Sequence, residues 1–186
     1  MSEEMKMKVA MPETLGLLLI SFIALMVGLI ALGIGEAANQ MEMVVFFLPY
    51  AAILLGIVTV FSYWNDNMFA TALFGVLAVF FWGFPGVMLG AFATDASLYV
   101  LFGAVFLLVM AFVSTAQPVR MVSGVILLAG LTFLFLSVWV YDGFVVDAIW
   151  GILVGIFGVL AGLLAMYVPV AILYNSMKGQ NTFPLM

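Results

Sequence analysis

The side chains that ordinarily carry out catalysis are missing from this chain. It has no His and no Cys, which removes the commonest general base, the commonest metal ligand and all thiolate chemistry. What remains inside the apolar stretches is hydroxyl: Ser21, Tyr50, Thr59, Thr71, Ser114, Thr115, Ser123, Thr132 and Ser137. A hydroxyl with no base beside it neither abstracts a proton nor attacks a carbonyl. No Asp, Glu, Lys or Arg lies deep in an apolar stretch. Ionisable groups at such depth mark proton relays and ion paths, so a pump, a retinal protein and a carboxylate-relay symporter are all disfavoured. The residues predict no enzyme, no metal site and no cofactor. They leave a passive or weakly coupled conduit for something small, or a scaffold that transports nothing.

The elements that must hold these residues are membrane spans. Of 186 residues 68% are hydrophobic and 7% charged, whereas a soluble surface needs roughly a quarter to a third of its residues charged. Four Lys+Arg against nine Asp+Glu give a net charge of −5 and no basic patch, which excludes a nucleic-acid partner. A helix crosses the hydrocarbon core in about 20 residues. Six runs reach that length: Leu15–Gly35, Met43–Trp64, Phe69–Phe92, Leu98–Ala116, Val119–Tyr141 and an over-long Phe144–Tyr174. The ten-residue alternation of a barrel is absent. The fold class predicted is all-α: one polytopic domain over residues 1–186 with six transmembrane helices, a tail at 1–14 and another at 175–186. The first run, at 21 residues with no small-x-small cleavage site, is expected to be a retained span and not a signal peptide.

The charges orient the bundle. Lys6, Lys8, Arg120 and Lys178 all fall on the side shared by the two termini, and Glu36, Glu42, Asp95, Asp142 and Asp147 fall in the loops of the other side. The positive-inside rule then predicts a multi-pass protein of the cell membrane with both termini cytoplasmic. Within the spans, Gly151, Gly155, Gly158, Gly162 and Ala165 step by four and three along one face of span six, and Ser21, Ala24, Gly28, Ala31 and Gly35 do the same in span one. Such stripes let helices pack closely; the alternative is that some of the glycines line a pore. Pro49, Pro85 and Pro169 interrupt spans, either as tolerated kinks or to free backbone groups for a substrate. The run Phe80-Phe81-Trp82-Gly83-Phe84-Pro85 sits within span three, at a protomer contact or along a narrow passage, while Trp64 and Trp139 suit the membrane interfaces.

Met11-Pro12-Glu13-Thr14-Leu15-Gly16-Leu17 resembles the NPAPLGL signature of the acetate uptake transporter family, which includes the succinate–acetate permeases; Pro12, Leu15, Gly16 and Leu17 match it. The resemblance continues in order along the chain. Asn67-Met68-Phe69 is similar to the family's GNTFG turn, Phe81-Trp82 to its FW pair, Arg120 to the basic residue opening span five, and Asn181-Thr182-Phe183-Pro184-Leu185 to its terminal TxLPxG. It implies six helices around a pore within each protomer, a hexamer in the lipid bilayer, and a small carboxylate substrate such as acetate, with succinate a further candidate. It also implies an apolar constriction at Ile20, at Leu77 or Ala78, and at Ala129 or Leu131. The family's first two constriction residues are aromatic; this chain has Ile20 and Leu77.

An acetate ion stripped of water in such a pore loses many kcal/mol of hydration unless donors replace it. The free amides at the start of span one suit an anion, but Glu13 stands in that first turn, where it satisfies the helix dipole and repels one; Thr14 is expected to cap the helix. Passage of the neutral acid fits this sequence better than passage of the anion. Two other readings stay open: a channel for urea, an amide or ammonia, and a non-transporting assembly subunit.

Overall fold

The computed structural model describes residues 12–34, 37–87, 96–144, 149–179 and 182–185. Within them the chain forms six helices: α1 Pro12–Ala31, α2 Ala37–Trp64, α3 Met68–Gly86, α4 Ala96–Ser114, α5 Met121–Tyr141 and α6 Ile149–Lys178. All six are long and apolar enough to cross a membrane, and none of the described residues is in a strand. The N-terminal residues with Lys6, Lys8 and Met11, the stripe end Gly35, the acids Glu36, Asp95 and Asp147, and Asn181 lie outside the described residues.

The helices begin and end where backbone chemistry, not hydropathy, dictates. Helix α1 starts at Pro12, before the apolar run, because proline's fixed φ and missing N–H suit the first turn. Residues 12–14, expected in the tail, are therefore helical. Thr14 lies inside the first turn, so it is not the residue preceding the helix and does not cap it. The other end of α1 stops at Ala31, short of Gly35, because Gly33 takes φ 73°. Gly33 N then donates to Ile30 O at 2.9 Å and Ile34 N to Leu29 O at 3.0 Å, closing the free carbonyls. Gly143, also at φ 73°, ends α5 in the same way, with Phe144 N donating to Trp139 O at 2.9 Å. Phe144 thus belongs to the cap of α5, and α6 opens at Ile149. Pro49, Pro85 and Pro169 all stay within helices.

The helices pack in a ring in chain order, and α6 closes it against α1. The α1–α6 and α4–α5 contacts are the most extensive and α3–α4 the slightest. The small residues explain the first of these. A Cβ on Gly158 would stand 3.0 Å from Gly28 Cα and 3.1 Å from Ala24 O, so the two backbones touch. Gly162 faces Leu25 of α1 and Gly155 faces Leu32 just past its end, whereas Gly151 faces the indole of Trp139 on α5. Ser21, buried in this contact, donates its hydroxyl to Gly162 O at 2.8 Å.

The tail expected from residue 175 begins inside α6, which runs to Lys178. Asn175 reads the backbone of the segment beyond: its Oδ1 accepts from Thr182 N and Phe183 N, each at 2.9 Å, and its Nδ2 donates to Phe183 O at 2.8 Å. Tyr167 adds a hydroxyl bond to Pro184 O at 3.0 Å, and Leu185 packs on the core.

Candidate functional site

Inside the ring the helices leave a small space. Ile20, Ile23, Ala24 and Val27 of α1, Val44 and Leu48 of α2, Phe80, Phe81 and Phe84 of α3, Ala129, Thr132, Phe133 and Leu136 of α5, and Phe144 line a partly open cavity of about 50 Å³. Thr132 supplies a hydroxyl, but it donates to Leu128 O at 2.8 Å, one turn back on its own helix. Among the described lining residues no polar group is left to hold water, so the cavity favours apolar contents.

Toward the end of the bundle that carries the starts of α1, α3 and α5, the cavity is closed. Leu17, Leu73, Phe74, Leu77, Val125 and Ile126 fill that section, each at most 3% exposed. The Phe74 ring lies directly on Gly16, where a Cβ would come within 2.5 Å of it. Beyond this plug, Glu13 Oε1 accepts a hydrogen bond from Asn67 Nδ2 at 3.0 Å, and Asn67 Oδ1 caps α3 by accepting from Ala70 N at 3.0 Å. The carboxylate therefore ties the start of α1 to the α2–α3 turn.

The residues singled out in the sequence are distributed unevenly over this site. Ile20 and Ala129 line the cavity. Leu77 lies in the buried plug, and Ala78 packs on the core outside the cavity wall. Leu131 is half-buried and takes no part in the lining. Of the signature, Pro12, Gly16 and Leu17 are buried within the bundle, and Leu15 is 45% exposed on its outer face. The aromatic run divides: Phe80, Phe81 and Phe84 face the cavity, and Trp82 points outward. Trp139, near the end of α5, is buried within the bundle, with its ring edge-on to Phe144 at 5.1 Å. Tyr50, a candidate donor, is exposed on the outside against Phe46.

Most other hydroxyls are spent on backbone carbonyls. Thr59 bonds Leu55 O, Thr71 bonds Asn67 O, Ser114 bonds Ala111 O and Ser137 bonds Leu134 O. The buried hydroxyls of Ser62 and Ser123 have no partner among the described residues, and neither residue lines the cavity. The lining residues missed by sequence reasoning are Ile23, Val27, Val44, Leu48, Phe133, Leu136 and Phe144. Nothing in a helix that is apolar all round marks its inner face.

These features define a class: a six-span membrane protein with an apolar chamber held inside a single chain. The fold is also that of a solved channel. The chain superposes on a structure described as the bacterial acetate channel SatP with a TM-score of 0.81, covering 96% of this chain and 99% of that one at 21% sequence identity. No family model matches the chain. No curated protein matches it.

Proposed function

We propose that the protein is a divergent relative of the acetate uptake transporters: a channel or transporter that passes small monocarboxylic acids, acetate first, through an apolar path in each protomer. The observation that carries this reading is the fold shared along nearly the whole chain with an acetate channel. The protein resides in the cell membrane with both termini cytoplasmic and assembles as a homo-oligomer, a hexamer by family resemblance.

The species that passes is the neutral acid. A carboxylate in the cavity meets Ile20, Ala129 and a ring of phenylalanines, with no donor to replace its water. A simple carboxylic acid has a pKa of about 4–5, so its neutral fraction at pH 7 is of order one in several hundred and rises about tenfold per unit of falling pH. Acetate entry into liposomes holding the purified protein should therefore exceed that into empty liposomes and climb steeply as the external pH is lowered from 7 to 5. Equal flux with and without protein, across that range and with formate and succinate included, refutes the reading. A second reading, a channel for urea, an amide or ammonia, is favoured by the same lack of donors and of charge; uptake of one of these solutes with no acid uptake would establish it.

A further inference from the structure

One residue belongs to two spaces at once. Phe80 lines the central cavity, and it also lines an open groove on the outer surface with Thr71, Gly75, Val76, Val79 and Tyr99. Phe80 thus stands between the apolar chamber and the outer groove, with Phe133 packed against it at 5.3 Å. The groove follows the α3–α4 seam, the loosest junction of the ring. Beside it Val79 and Phe102 are each 74% exposed on the single chain, so the groove lies in an apolar outer face suited to hydrocarbon.

The ring is held by a specific set of contacts. Tyr99 of α4 stacks on Phe80 with centroids 4.6 Å apart and planes 16° from parallel. Its hydroxyl donates to Phe80 O at 2.8 Å. Two glycines make room for the pair. A Cβ on Gly83 would fall 2.5 Å from the Tyr99 hydroxyl, and one on Gly103 would fall 2.8 Å from the Phe80 ring. Two other seams are packed more closely: the backbones of α1 and α6 touch at Gly28 and Gly158, and on the α4–α5 side a Cβ on Gly130 would lie 3.2 Å from Leu108 N. The seam is closed by side chains alone.

We propose that the central cavity is a site for small uncharged apolar molecules taken from the bilayer core, admitted sideways between α3 and α4 past Phe80, whose ring Tyr99 latches shut. The cavity's size, about 50 Å³, restricts the ligand to a few heavy atoms. Its lack of free polar groups means that hydrocarbon, not water, is the phase from which it fills. This goes beyond the transport reading and does not depend on it.

Xenon tests it, being neutral, apolar and soluble in lipid. In nanodiscs, ¹²⁹Xe saturation-transfer NMR should find a cavity-bound resonance that exchanges with the lipid-dissolved pool faster than with the aqueous one. Ala129→Leu, which fills the cavity, should abolish it. Tyr99→Phe keeps the stacked ring and removes the hydrogen bond, and should speed exchange with lipid by about threefold to tenfold, the range one such bond is worth. Phe80→Ala should merge the bound and lipid signals, with a thermal melt reporting its folding. The absence of a bound resonance in the unmodified protein overturns the proposal. So does exchange with water that is faster than with lipid, or an unchanged rate in Tyr99→Phe, which decides the matter even if Phe80→Ala does not fold.

Discussion

Placing one methyl group at Gly28 should separate the first helix from the last. A Cβ there would lie 2.7 Å from Val159 N, 3.0 Å from Gly158 C and 3.1 Å from Gly155 O, all backbone atoms that cannot swing aside. An ordinary heavy-atom contact needs about 3.5 Å or more, so α1 must withdraw by about 1 Å at the crossing. That loosens the packing on both sides and strains the Ser21–Gly162 hydrogen bond, two turns away on α1. Overpacking of this kind costs about 1–3 kcal/mol, and the better helix propensity of Ala offsets less than about 1 kcal/mol of it. Gly56 is the internal control, because a Cβ there meets nothing within 4 Å and only the propensity gain remains. Gly28→Ala should be less stable than Gly56→Ala by about 1–3 kcal/mol, because the propensity gain is common to both and only the overpacking separates them. Unfolding by SDS in mixed micelles, followed by circular dichroism, gives the difference directly. Equal stability of the two variants would refute the claim that the backbones touch.

The same stripe should grade its tolerance, with Gly158→Leu lost from the folded fraction on size exclusion and Gly155→Ala milder than Gly158→Ala, because Gly155 faces the movable Leu32 side chain. Asn67→Ala removes the α3 cap and the tie to Glu13, and should lower stability by about 1–2 kcal/mol in a thermal melt. Asn175→Ala releases the segment around Phe183, so limited chymotrypsin should cut there faster than in the parent while the helical signal stays unchanged. Ile20→Asp puts a carboxylate on the cavity wall at a cost of about 2.5–3.5 kcal/mol, and acetate flux in liposomes should fall more than tenfold. Ser21→Ala should leave that flux within about twofold and appear instead as a small loss of stability.

The six spans were legible because a run of about 20 apolar residues bounded by charge suits a bilayer crossing and little else. The ends of the second and fifth runs, Trp64 and Tyr141, were legible as well, but the end of α1 was not, since Gly33 sits in apolar surroundings that hydropathy scores as continuous. A positive φ is a backbone fact that composition only hints at. The glycine stripe of α6 could be read as a packing face from its spacing, but its partner could not, because spacing says nothing of which helix arrives opposite. In the cavity, the alignment implied by resemblance pointed to Ile20 and Ala129, both on the wall. Leu77, a buried apolar residue of the same helix face, differs from Phe81 only by one turn of height. Sequence periodicity resolves the side of a helix, not the depth at which a space opens.

The pairing of α1 with α6 also sets a schedule for synthesis. The groove formed by Ser21, Ala24 and Gly28 fits only the last helix, so it faces lipid while everything between Ala31 and Ile149 is being made. At about 5–20 residues per second this wait lasts roughly 6–24 s. During it the Ser21 hydroxyl has no Gly162 carbonyl to meet, and the growing intermediate presents the small-residue surface that membrane helices use to associate. The first span can therefore meet α2 early while its α6-facing side waits, and the ring closes only when translation delivers the sixth. Folding of this chain in the bilayer is gated by the arrival of its final helix.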